Sequence, residues 1–193
     1  LKVTIEIDGT QPLLMHADTL ADPLDPLTKE FKRLSGKRSK TDEDHEAMAE
    51  KEFLASLYLD DGGEICIPAA NIKKCLIEGG RITKSGAKIE RGLTLLGIDF
   101  VLKHTGPALP ADLYQDPKFV DRRSVKVGTA RTMRVRPRFN DWSLRVECDI
   151  DPAVCSIDDL KDIATNAGSL VGLGDHRKIG GYGRFVAKVR KNP

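Results

Sequence analysis

The residues with the clearest chemical potential lie near the end of the chain, between Gly172 and Phe185. Five glycines, the cations Arg177, Lys178 and Arg184, and the aromatic Tyr182 crowd into this stretch. Glycine lets backbone N–H groups come close to a ligand and adopt positive φ. A run of such amides forms an anion-binding concavity, and Arg and Lys add charge beside it. The ligand suggested is a phosphate, one belonging to a nucleic acid. A long glycine turn that closes a helix and opens a strand fits the same residues.

A second set of residues lies between Lys118 and Arg145, where nine cations meet only Asp121 and Asp141 as local acids. Val125 and Val127 alternate with cations, Gly128-Thr129 makes a turn, and Met133, Val135 and Pro137 alternate with arginines on the return. This predicts a β-hairpin over residues 118–141 with one basic face. Guanidinium groups on one side of a ribbon can track successive phosphates. The candidate binding residues here are Arg122, Arg123, Lys126, Arg131, Arg134, Arg136 and Arg138, joined by Arg177, Lys178 and Arg184 of the glycine stretch. Lys73 and Lys74, on the outer side of a helix expected from Ala69, complete the cations. Tyr182, flanked by glycines, is the candidate for base stacking, whereas Phe139 and Trp142 are expected in the core. Backbone and stacking contacts predict weak sequence preference, and single strands over duplex.

The elements that position these residues follow from periodicity. Val3, Ile5 and Ile7 alternate in a half-buried strand, as do Trp142, Leu144, Val146 and Cys148. Residues 20–62 read as a helical insertion. Leu24, Leu27, Phe31 and Leu34 give one apolar helix face, Gly36 stops it, and Thr41 with Asp44 starts a second helix. A helix over 69–80 is capped by Asn71 and ended by Gly79-Gly80. Residues 84–91 read as polar connection, 93–103 as a strand interrupted at Gly97, and 106–117 as a Pro-rich loop. Ser156 caps a last helix, with Asp158 and Asp159 in its first turn. The order is then strand, helix, strand, strand, helix, strand. This is the α+β, ferredoxin-like (RRM-like) βαββαβ order, in which both helices cover one face of a four-stranded antiparallel sheet. The helical insertion follows the first strand, and the basic hairpin falls between the two central strands of one domain spanning residues 1–193.

Composition limits the alternatives. The chain has 193 residues, 40% hydrophobic and 31% charged, with a net charge of +2. A nucleic-acid reading therefore rests on where the charges lie. No apolar run approaches the roughly 20 residues that span a bilayer, so no membrane partner is expected and a cytoplasmic location is. The chain opens in mid-strand without Met, so a few residues are expected to precede Leu1. Cys66, Cys75, Cys148 and Cys155 form no C-x-x-C pair and are expected as free buried thiols. The four histidines lack ligand spacing. No metal and no cofactor are expected.

Ile67-Pro68-Ala69-Ala70-Asn71-Ile72-Lys73 resembles the I-P-G-S-S-L-K opening of the first helix in RAMP-superfamily proteins of CRISPR systems, with Ala69-Ala70 where the family has Gly-Ser. Residues 172–185 are similar to the glycine-rich loop before the family's final strand. The basic hairpin sits where backbone subunits of CRISPR effector complexes carry a protruding thumb. The combination also looks like small proteins carried by phages and prophages. The resemblance implies non-catalytic binding of single-stranded RNA or DNA, RNA before DNA, by a repeating subunit in a homo-oligomer or larger complex. It also implies two rivals. One is an endoribonuclease using His16, His176 or a loop aspartate such as Asp18, Asp22 or Asp25. The other is a phage-encoded interaction factor acting on a defence complex.

Overall fold

The computed structural model describes residues 1–192. In chain order its elements are β1 (Lys2–Gly9), β2 (Leu13–Leu14), α1 (Pro26–Ser35), α2 (Asp42–Ala55), β3 (Cys66–Pro68), α3 (Ala69–Ile82) and α4 (Gly86–Gly92). There follow β4 (Leu93–Leu95), β5 (Asp99–Val101), β6 (Lys103–His104), α5 (Pro110–Gln115), β7 (Val120–Val127), β8 (Ala130–Phe139) and β9 (Trp142–Ile150). The chain closes with α6 (Ile157–Asn166), α7 (Arg177–Gly180) and β10 (Phe185–Lys191). This is an α+β chain with antiparallel sheets. Its contacts divide it into two compact units.

The first unit takes residues 1–13, 59–105 and the chain from Asn140 onward. Its main sheet has the order β10-β1-β9-β4, with β6 also on β9. Period-two alternation sends Val3, Ile5 and Ile7 of β1 into the core with Trp142, Leu144, Val146, Cys148 and Ile150 of β9. The opposite face carries Lys2, Glu6 and Asp8, Arg145, Glu147 and Asp149, and Lys188 and Arg190. On these three strands four cations thus meet four acids, with Lys103 of β6 beside Ser143 on the same face, and ion pairs join Arg190 to Glu6 at 3.2 Å and Arg145 to Glu147 at 3.6 Å. No aromatic residue of β1, β9 or β10 lies on that face. An electrostatically balanced face without rings is no platform for base stacking.

Helix α3 packs on α6 and on the π-helical turn Ala167–Val171, and α6 packs on β10. Gly79 and Gly80 do not end α3, which continues to Ile82. A Cβ on Gly79 would lie 2.7 Å from the Ala167 nitrogen, so this glycine serves close helix approach. Asn71 is not the cap either: Pro68 holds that position, and Asn71 lies inside the helix. Segment 93–103 breaks into three strands, of which β5 leaves the main sheet to pair with β3. The polar connection contains α4, and the Pro-rich loop contains α5. Each helix buries a single large apolar side chain, Ile89 and Leu113, too few to show a period.

The second unit takes Leu14–Tyr58 and Gly106–Phe139, so the helical insertion and the basic hairpin share one core. Asp25 accepts from the Leu27 and Thr28 amides to cap α1, and Thr41 and Asp44 form a capping box on α2. Leu24 precedes the helix and is 74% exposed. Pro23 and Pro26 hold this acidic segment out of the helix, and Asp22 accepts from the Leu24 amide. Helix α2 lies between α1, β8 and α5, with Phe53 edge-on to Tyr114 at 5.3 Å between ring centroids. Phe119 and Phe139 meet at 6.2 Å. Strands β7 and β8 pair from Val120↔Pro137 to Val127↔Ala130 around Gly128-Thr129, the two-residue turn expected. The alternation expected at Val127 lies outside the described side chains.

Among the described residues no helix is long and apolar enough to cross a membrane. All four cysteines are free and buried. Burial pushes the Cys66, Cys75 and Cys148 thiols up to about 12. A thiol so raised carries almost no thiolate at neutral pH, and thiolate is the reactive form. A disulfide-exchange reagent should therefore label none of the four in the native protein and all four in strong denaturant. Fast labelling of any one before unfolding would show that its surroundings are open.

Candidate nucleic-acid interface

The hairpin's register places Arg123 opposite Arg134 and Lys126 opposite Arg131. Like charges directly opposed across a ladder destabilise it unless something offsets them. At the base of the hairpin something does. Arg123 forms a two-armed ion pair with Asp121, which is itself buried. Arg134 donates to Glu52 of α2 at 2.9 Å, and Glu52 also accepts from the Val135 amide at 3.1 Å. Arg122 donates to Glu46 of α2 and to the Tyr114 hydroxyl, each at 2.7 Å, and Tyr114 donates to Glu46. These two hydrogen bonds hold the Glu46 carboxyl below its usual range. Arg138 donates twice to the Lys118 carbonyl, at 3.2 and 3.1 Å, and Arg136 is only 6% exposed.

The single exposed basic face read from the alternation is therefore divided. Arg122, Arg123, Arg134 and Arg138 are held by neighbouring acids or carbonyls, and Arg136 is inside. The tip differs. Lys126 and Arg131 are exposed, stand opposite each other, and have no ion-pair partner among the described residues. Gly128 between them has φ +60° and open space around it. The acids that hold the base, Glu46 and Glu52, come from a helix some seventy to eighty residues earlier. A readable sign of Glu52 was its place on the apolar stripe of α2, three residues after Ala49 and beside Phe53, all three buried.

The glycine stretch in the first unit is folded largely onto itself. The Leu173 amide donates to the Gly183 carbonyl at 2.9 Å, and the Gly183 amide donates to the Pro12 carbonyl at 2.7 Å. A Cβ on Gly183 would lie 1.8 Å from the Leu173 oxygen, and Gly183 has φ +66°. Several of these glycines thus serve backbone approach within the protein. Residues 177–180 form the short helix α7, and His176 before it is left-handed at φ 54°. Tyr182 is half-buried and meets the His176 ring at 5.9 Å. A Cβ on Gly180 would strike both rings, at 2.5 and 2.7 Å, so Gly180 allows this pairing. Arg177 is paired with Glu78 at 3.1 Å, Lys178 is exposed, and Arg184 is half-buried. On α3, Lys74 is exposed, while Lys73 donates to the Leu93 carbonyl at 3.0 Å and ties α3 to β4. Trp142 is in the core as expected, its Nε1 donating to the Gln11 carbonyl.

No protein-family model matches the sequence, and no curated protein matches it. Among solved structures, the fold is similar to a chain in the cryo-EM structure of the Type III-B Cmr-beta bound to cognate target RNA. The TM-score is 0.54 at 12% sequence identity, over 98% of this chain and 59% of that one. This chain therefore spans about three-fifths of the length of that neighbour. At such an identity the likeness concerns the fold.

Two substitutions test this geometry. Glu52→Ala leaves a partly buried guanidinium and a buried amide without their acceptor, and should cost roughly 1–3 kcal/mol in urea unfolding. An unchanged midpoint would mean that Glu52 does not anchor the hairpin. Gly183→Ala should cost at least about 2 kcal/mol, since it adds a clash to a left-handed φ. Gly181→Ala, also left-handed but in open space, should cost only about 1 kcal/mol. Equal costs would contradict the role of Gly183 in backbone approach.

Proposed function

We propose that this chain binds single-stranded RNA without cleaving it, through the tip of the β7–β8 hairpin and the glycine-rich loop, as a RAMP-type backbone subunit of a larger assembly. The observation that carries the reading is the opposed pair Lys126 and Arg131. Two exposed cations facing each other without an acid raise the energy of the free protein, and a phosphate between them removes that cost. The order β10-β1-β9-β4, with α3 and α6 lying between strands in sequence, supports a ferredoxin-like core. The fold likeness to a chain of an RNA-bound complex points the same way. The charge-balanced sheet face argues that contact is made by the hairpin and loops instead of by an RRM-type platform. Cations without base-edge readers favour the backbone, hence little sequence preference.

Fluorescence anisotropy with labelled single-stranded RNA and DNA of equal length tests this. The wild type should bind RNA at micromolar concentration or tighter in low salt. Lys126→Glu with Arg131→Glu should weaken binding by at least about ten-fold. The loss of two phosphate contacts should also lower the slope of log affinity against log salt by about 1.4. Absence of binding at tens of micromolar protein, or a double variant as tight as wild type, would refute the reading.

A further inference from the structure

A cleft of about 320 Å³ in the first unit is lined by Glu78, Ile82, Leu170, Val171, Arg177, Lys178 and Arg184. Its cations differ in how they are held. Arg177 is fixed from two sides: Nη1 lies 3.1 Å from Glu78 Oε2 and donates to the Gly172 carbonyl at 3.3 Å. Arg184 immediately precedes β10, and its carbonyl accepts from both the Thr10 and Gln11 amides. Its Nη1 is enclosed without an acceptor among the described residues, a costly state that a turn of the guanidinium toward an anion in the cleft relieves. Lys178 is exposed at the rim. Three cations against one carboxylate leave two positive charges in one cleft with partly apolar walls, and a low local dielectric strengthens their pull on an anion.

The charge and its arrangement select the ligand class. A phosphodiester carries one charge and has a sugar on both sides. A phosphomonoester carries between about −1.5 and −2 near neutral pH and offers three acceptor oxygens on one side. We propose that this cleft is a phosphomonoester site, with Arg184 and Lys178 donating to the terminal oxygens and Arg177 holding the inner wall through its bond to Glu78. The ligand is either the phosphorylated end of a nucleic-acid strand or a free phosphate or mononucleotide. The first source rests on the RNA-binding reading; the second does not.

Two measurements on the intact chain separate these. In the first, inorganic phosphate and a nucleoside 5′-monophosphate are titrated at constant ionic strength while the melting temperature is followed. Both should raise it saturably at millimolar ligand. Arg184→Gln should abolish the response, and Lys178→Ala, at an exposed position that leaves the fold intact, should weaken it at least about three-fold. In the second, RNA strands ending in a 5′-phosphate, a 3′-phosphate or hydroxyls only are compared by anisotropy. One phosphorylated end should bind about ten-fold tighter than the hydroxyl strand. That preference should shrink at least about three-fold in Lys178→Ala and persist in the Lys126→Glu, Arg131→Glu variant. A saturable phosphate response without strand binding keeps the site and removes the RNA reading. A saturable response with strands that bind alike assigns the site to a free phosphate. Absence of any saturable response together with strands that bind alike overturns the site and leaves the RNA reading standing.

Discussion

Both edges of β1 are occupied along its length, Val3 to Gly9 by β10 and Lys2 to Asp8 by β9, so the first strand of the chain is the middle of its sheet. The arrangement depends on β10, which is made last and must be delivered antiparallel to a strand made first. The glycine stretch performs that delivery. The Arg184 carbonyl receives the Thr10 and Gln11 amides, and the Gly183 amide reaches the Pro12 carbonyl, so loop and first turn are stitched together. Such stitching needs backbones closer than a Cβ allows. That is why Gly168, whose Cβ would lie 2.1 Å from the Phe185 oxygen, and Gly183 are glycines. The same stitching fixes the backbone from which the Arg184 side chain springs. A loop that looks like a ligand cradle is thus first a structural joint.

In the second unit the governing problem is charge. A ribbon with Arg123 facing Arg134 and Lys126 facing Arg131 would not hold its register unaided. Asp121 and Glu52 offset the first pair, and Glu46 with Tyr114 receives Arg122. Exposed ion pairs contribute little individually, but Glu52 is buried, and it ties a side chain and a backbone amide of β8 to α2. The helical insertion therefore supplies the carboxylates and the apolar face that make a basic ribbon foldable. Compensation extends along the base of the hairpin and stops before its tip.

Much of the architecture could be read from pattern. The alternation in β1 and β9, the capping boxes at Thr41 and Ser156, and the Gly128-Thr129 turn are local signals, and the chain obeys each of them. What escaped the sequence was tertiary in origin. Gly79 reads as a helix stop in isolation, and only the proximity of Ala167 makes it a packing residue. Asn71 is a good cap by type, yet Pro68 starts the helix one turn earlier. Arg134, Arg136 and Arg138 share one face of β8 in a period-two pattern, opposite to Arg131, and look equivalent there. Burial of Arg136 and capture of Arg134 by Glu52 separate these three, and neither effect is visible within the hairpin's own residues. That two insertions separated by some fifty residues build a common core is likewise a property of packing.

The near-neutral charge of the chain gives this distribution its consequence. With a net charge of +2 there is little long-range field to draw a polyanion in, and at physiological salt what exists is screened within about 8 Å. Under the binding reading, affinity must come from cations left uncompensated at short range: Lys126 and Arg131 on one unit, Lys178 and Arg184 on the other. Each phosphate so contacted adds only about 0.7 to the salt slope on a single strand. Four contacts give a weak and strongly salt-dependent grip from one copy. Such a grip becomes tight when several copies, or other subunits, hold the same strand, because each later contact forms at a high effective concentration. Under that reading, a protein that pairs at least seven of its fourteen arginines with its own carboxylates is better suited to binding as one member of an array than to binding alone.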